Sequence, residues 1–278
     1  MLGVIVETVL DKFNWASSKG RRKLAADKLE LLEGRHAGTL HALIRARMSD
    51  PLTADAVVRW ANVSRNLLRQ IVRTVAIAYA RGAVRDLAAA VGEPAAAAFS
   101  SILAESKMGA VGPLVNQWSW LLGPSFVVPQ VDADGSFHLD LVPPSRAEVI
   151  LKNPATISEL LWQRPDGLFV KLDGDSWSFY DSEGEPVKGL APVVHGLGYA
   201  PLAVFRSEHW ASCGWWNETS HRALVDAALD VAVFESLLNW SRKNSGKQLV
   251  IVAPKETLGG KQIIGHPERP IYFDGAQG

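Results

Sequence analysis

The side chains best suited to chemistry gather along one stretch of the chain. His209, Cys213 and His221 bring imidazole and thiol groups close in sequence. Such groups bind zinc, but this spacing fits none of the compact zinc modules. The plainer reading is a loop that happens to hold them, so no metal is expected. Trp210, Trp215 and Trp216 lie among them. Exposed tryptophans can hold a sugar or a base, but more often they pack against their own core or a neighbouring subunit. Asp226 and Asp230 stand one helical turn apart and can act as an acid pair, with Glu208 as a further carboxylate. A solvated or salt-bridged helix face is the plainer reading. Arg65, Arg69 and Arg73 recur at i, i+4 and i+8. That stripe can meet phosphates, or it can be a solvated face or an ion-paired subunit contact.

The patterns of common catalytic loops are missing. There is no Walker-type phosphate loop, no dinucleotide fingerprint after a strand and no nucleophile elbow. Gly196-Leu197-Gly198 lacks the third glycine and the following helix. No cofactor and no catalytic residue is expected, and the chain reads as a non-enzyme.

The 278 residues leave room for two domains, though one larger fold is allowed. Hydrophobic residues at 47% and charged residues at 21% exclude a disordered chain, a collagen and a disulfide scaffold. Net charge is zero, whereas a protein built mainly to grip nucleic acid is normally strongly basic. The charge is uneven: 14 Lys and Arg stand against 7 Asp and Glu up to residue 82, and 15 against 22 after it. This asymmetry hints at self-association or polar partners. Cys213, the single cysteine, fits a reducing compartment. No apolar run approaches the roughly 18 residues of a membrane span, and Met1 to Glu7 lacks the basic start of a secretory signal. A cytoplasmic protein without membrane contact is expected.

The elements that must position these groups fall into a mixed α+β pattern. The chain to residue 122 reads as helical. Leu24, Leu31, Leu32, Leu40, Leu43 and Ile44 mark a helix from Arg21 to Met48, broken by Asp50-Pro51. Thr53 or Asp55 can cap the next helix. There Val57, Trp60, Ala61, Leu68, Ile71 and Val75 form one stripe, with a stop near Arg81-Gly82. Two shorter helices follow, from Pro94 to Ser106 and from about Pro113 to Leu122.

From 123 to 217 the period changes to that of antiparallel strands. Ser125–Val131 is one strand, with Pro129 suggesting an edge. Phe137–Leu141 alternates strictly after the Asp132–Gly135 turn. Further strands are expected over Glu159–Trp162, Leu168–Leu172, Trp177–Tyr180, Pro192–His195 and Leu202–Phe205. A long helix then occupies 218 to 246. Leu224, Val225, Ala228, Leu229, Ala232, Phe234, Leu238 and Trp240 make it apolar over more than one stripe. Such a helix needs neighbours on several sides, and Leu229, Phe234, Leu238 and Trp240 are the candidates for subunit contact. Gln248–Val252 and Pro270–Phe273 are expected strands in a last segment, 247 to 278.

The order of these parts resembles the portal, or head-tail connector, proteins of tailed bacteriophages. Asn66–Ala76 followed by Tyr79 is similar to the helix near the start of the portal wing. Val193–Phe205, with His195-Gly196-Leu197-Gly198-Tyr199-Ala200-Pro201, resembles the glycine-then-proline strand that closes the wing. Ala223–Asp230, continuing through Glu235–Asn239, is similar to the helix that follows, and Gln248–Val252 to the strand entering the clip. The resemblance covers roughly residues 56 to 278. It implies a wing from 1 to 217, helical to 122 and antiparallel β after it. A stem helix at 218 to 246 and the start of a clip at 247 to 278 would follow.

The family forms rings, usually of twelve copies, at one capsid vertex. Double-stranded DNA passes through the ring during packaging and ejection. The implied partners are further copies of the chain, DNA, the terminase large subunit, the major capsid protein and a head-completion or adaptor protein. The implied location is the virion, after assembly in the host cytoplasm. Arg242, Lys243 and Lys247 would face the DNA channel at the stem-to-clip junction. A portal chain continues past the clip with a second stem helix and a crown, so the resemblance also implies a truncated chain. Two other classes stay open: a carbohydrate-active or other hydrolytic enzyme using the Trp-rich loop with Asp226 or Glu208, and a non-portal viral adaptor protein.

Overall fold

Eight helices and two antiparallel sheets account for the described residues, which are 8–63, 65–77, 92–131, 137–206, 215–216 and 221–245 of a computed structural model. The helices are α1 (Val9–Lys12), α2 (Lys19–Glu33), α3 (Ala37–Arg47), α4 (Pro51–Arg59), α5 (Leu67–Val75), α6 (Glu93–Glu105), α7 (Met108–Leu122) and α8 (Arg222–Ser245). The strands are β1 (Ser125–Val131), β2 (Phe137–Val142), β3 (Ala147–Asn153), β4 (Thr156–Gln163), β5 (Phe169–Leu172), β6 (Ser176–Tyr180), β7 (Val193–Val194) and β8 (Ala203–Phe205). Contacts group the chain into two compact units: Met1–Arg35 with Asn66–Val225, and His36–Arg65 with Asp226–Gly278.

The helix expected from Arg21 to Met48 is two helices. Gly34 adopts φ +81°, and its N–H and that of Arg35 bond back to the carbonyls of Leu31 and Glu30. That is a Schellman stop, which a glycine at this position makes inexpensive. α4 is capped by Asp50, not by Thr53 or Asp55. The Asp50 carboxylate accepts from the N–H groups of Leu52 and Thr53, and Pro51 sits at the first helical position.

The helix expected beyond Val57 is also divided, because α4 ends at Arg59 and α5 starts only at Leu67. Asn62 Oδ1 accepts from the Arg65 N–H at 3.4 Å, and Asn66 Oδ1 accepts from the Arg69 N–H at 2.8 Å. Short amide side chains thus capture backbone donors that a continuous helix would use. Asn66 Nδ2 also donates to the Leu31 carbonyl, tying the start of α5 to the end of α2. α6 and α7 match the expected helices, but α7 begins at Met108, earlier than Pro113.

In the first unit, the sheets have the orders β2-β1-β8 and β3-β4-β5-β6-β7. Phe126, Val128 and Val142 from the first meet Leu160, Trp162, Val170 and Leu172 from the second in one buried cluster. The far face of the five-stranded sheet carries Leu161 and Phe169, which pack on Phe13 and Trp15 beside α1. Trp15 meets Phe169 edge to face at 4.8 Å. Pro129 does not mark an edge strand, since β1 is central. β8 pairs with β1 only over Ser125 to Val127, so the proline lies past the end of that ladder. β3 has no counterpart among the expected strands. The strands expected over Gln248–Val252 and Pro270–Phe273 lie outside the described residues.

One buried charge cluster fixes α2. Glu148 Oε1 accepts from Arg21 at 2.5 Å, from Arg22 at 2.7 Å and from Ser18. The side chains of Glu148, Arg21 and Arg22 are only 6–8% exposed. Burial, opposed by the bond and charge of Glu148, lowers the Arg22 pKa. A half-buried network lies on the five-stranded sheet: Lys171 bonds Asp173 at 2.8 Å, and Lys12 bonds Glu159 at 2.6 Å. Burial alone would raise the Asp173 pKa. The bond from Lys171 and the N–H groups of Asp175 and Ser176 outweigh it and hold the carboxyl at about 2.

In the second unit, α3, α4 and α8 share a core of Leu40, Ile44, Val57, Ala232 and Val233, flanked by Leu237 and Trp240. Ser236 Oγ donates to the Ala232 carbonyl at 2.7 Å and accepts from the Asn62 N–H at 3.3 Å. His36 is buried at the start of α3, and burial lowers its pKa.

Candidate functional site

α8 is a helix with two apolar faces. Ala228, Ala232, Val233 and Ser236 are buried. On the opposite side Ala227, Val231, Phe234 and Leu238 follow one another at intervals of four, three and four, which places them in one line along a helix. All four are exposed; Val231 is 40%, Phe234 59% and Leu238 42% accessible. The same side borders a groove of about 480 Å³ in the second unit, lined by Ile44, Met48, Val231, Phe234 and Leu237. Arg47 and Asp230 form an ion pair at that groove.

The expected contact residues divide between these surroundings. Phe234 and Leu238 stand on the open face, Leu229 is half-buried, and Trp240 packs on the Leu40–Ile44–Val57 core. Val231 and Ala227 complete the stripe and were missed. Their spacing is visible in the sequence, but the apolar content of the helix as a whole does not single them out.

At the C-terminal end of α8, Arg242 and Lys243 are both exposed, as suits cations near helix carbonyls. Lys243 Nζ lies 5.2 Å from the Trp60 ring centroid. Lys247 lies outside the described residues.

Of the Trp-rich loop and its neighbours, only Trp215, Trp216 and His221 are among the described residues. His209, Cys213, Trp210 and Glu208 lie outside them. His221 takes φ +57° and stacks on Trp120 at 3.9 Å. Trp216 packs against the sheet core and under the Arg21 guanidinium at 3.6 Å, and Trp215 lies 4.7 Å from Arg206. These two tryptophans therefore serve packing. Asp230 is paired with Arg47, so it and Asp226 do not form an isolated acid pair. Among the described residues, no group of three or more His, Cys, Asp or Glu could hold a metal ion.

The arginine stripe is also broken. Arg65 precedes α5 and pairs with Glu235 at 2.6 Å. Arg69 and Arg73 stand exposed on α5, on the face next to buried Leu68 and Val72. No helix among the described residues is long and apolar enough to cross a membrane. The chain matches no protein-family model and no curated protein.

Proposed function

We propose that this chain is a ring-forming structural subunit of the portal type, placed at a capsid vertex and enclosing a channel for double-stranded DNA. The observation that carries this reading is the open stripe of Ala227, Val231, Phe234 and Leu238 on α8. Among the described residues nothing covers this second apolar face, and copies arranged side by side would supply a partner. The four-three-four spacing suits packing against another helix.

Two further features support the reading. Arg242 and Lys243 lie together at one end of α8, where a channel would meet phosphates. The net charge of zero suits a conduit that must not hold DNA tightly, because each phosphate contact adds affinity. On this reading the partners are the terminase large subunit, the major capsid protein and a head-completion protein.

Light scattering of the purified chain, with negative-stain imaging, tests the proposal. The expected particle is a ring with a central hole and a mass that is a multiple of 30.2 kDa. A 30.2 kDa monomer that persists on concentration overturns it.

A further inference from the structure

In the second unit, the two sides of α8 present unlike surfaces. A helix turns by about 100° per residue, so Ser236 and Lys243 stand about 200° and 180° round from Phe234. Both hold the chain that leaves α4. Ser236 Oγ accepts from the Asn62 N–H at 3.3 Å, and Lys243 Nζ lies 5.2 Å from the Trp60 ring centroid. Residues 60–62 therefore lie across α8 from the stripe of Val231, Phe234 and Leu238.

That far side carries a knob. Trp60 is 42% exposed, and Val63 is 38% exposed. The backbone beneath is fixed, since the Trp60 and Ala61 N–H groups donate to the Val57 and Val58 carbonyls at 3.0 and 3.1 Å. An aromatic ring on a fixed turn loses little freedom on docking.

The stripe side carries a hole, the groove of about 480 Å³. A cavity of about 150 Å³ holds a benzene ring, so this groove admits an indole. Its walls are apolar: Ile44, Met48, Val231, Phe234 and Leu237. Arg47 at its border bonds Asp230. The N–H groups of a guanidinium lie in its plane, so that bond leaves the flat faces for an aromatic ring.

A face that meets its own copy stops at a two-fold dimer, whereas a ring joins each copy to the next through two different surfaces. A knob and a hole on opposite sides of one helix meet that requirement. We propose, resting on the ring reading of α8, that the indole of Trp60 of one copy enters the α3–α8 groove of the next. There it packs on Phe234 and Leu237 and stacks on Arg47. The contact then repeats from copy to copy.

Light scattering of single and mixed variants tests it. Trp60→Glu removes the knob and keeps the groove, while Phe234→Asp spoils the groove and keeps the knob. The unaltered chain should form rings, and each variant alone should stay at 30.2 kDa. Mixed one to one, the two variants should form a heterodimer and nothing larger, because only one sound contact can be made. Trp60→Tyr should keep the rings. With 42% of the indole open, Trp60→Ala should raise the concentration at which rings dissociate by about tenfold or more. Circular dichroism checks each fold, and should Trp60→Glu lose its helix signal, Trp60→Ser reads the same outcomes. Rings of Trp60→Glu that resist dilution like the unaltered ones overturn the proposal and leave the ring reading standing. So does a folded mixture that gives anything but the heterodimer. An unaltered chain that forms no ring overturns both.

Discussion

Replacing Phe234 by Asp separates assembly from folding. The side chain is 59% exposed within the subunit. A phenylalanine offers about 150–250 Å² on burial, so roughly 90–150 Å² of it remains open. At about 25 cal/mol per Å², covering that area in a subunit contact contributes about 2–4 kcal/mol. Asp returns none of it and adds the cost of desolvating a charge. Phe234→Asp should therefore weaken each contact by roughly thirtyfold or more, and closure of a ring multiplies the loss.

The same change should cost the isolated subunit within about 0.5 kcal/mol, as an exposed site normally does. Val233→Asp is the control. Val233 is buried in the α3–α4–α8 core, and a charge there should unfold that unit. Light scattering over a dilution series reads assembly, and circular dichroism with thermal melting reads folding. Full rings of Phe234→Asp with unchanged resistance to dilution would refute the placement of this face between subunits. So would melting as early as that of Val233→Asp.

Three other outcomes are expected. Glu148→Gln leaves the Arg21 and Arg22 guanidiniums buried without their carboxylate, and should cost about 3–5 kcal/mol in urea denaturation; a loss below about 1 kcal/mol would show that the cluster admits water. Asp173 titrates at about 2 in the folded chain against 3.8 unfolded. Its stabilisation is thus complete above the unfolded value and is lost as pH falls from there through the folded value, by about 2 kcal/mol at most. Asp173→Asn should flatten that part of the acid-denaturation curve, and an unchanged slope would contradict the network. Gly184 takes φ +85°, and a Cβ there would stand 2.9 Å from Leu10 Cγ. Gly184→Ala should loosen α1 by about 1–2 kcal/mol, seen as faster amide exchange over Phe13 and Trp15.

Strands were legible where alternation and turn residues coincide. Phe137–Leu141 and Phe169–Leu172 carry both signals and form where expected. β3 escaped because Ala147–Asn153 shows no clean alternation, and its pairing with β4 is interrupted on both sides of Leu151. Helices were located well but divided poorly. Gly34 and the Asn62–Asn66 stretch stop helices through backbone bonds that an apolar count does not register. Pro129 carries a signal that fits two situations, since a missing N–H suits an edge strand and equally a position past the end of a short neighbour. At the candidate site, the apolar excess of the last helix was legible. Which of its residues face inward was not, because α3 and α4 decide that from far away in sequence.

That distance bears on how the chain is made. The apolar sides of α3 and α4 are completed by α8, and Asn62 meets Ser236 across 174 residues. At a ribosomal rate of about 5–20 residues per second, Leu40, Ile44 and Val57 wait on the order of ten to thirty seconds for their cover. Meanwhile the nascent chain presents a greasy helical hairpin to solvent. Overproduction should therefore tax the chaperones that shield such intermediates, and slower synthesis in a cooled culture should change the soluble yield more than the stability of the finished protein.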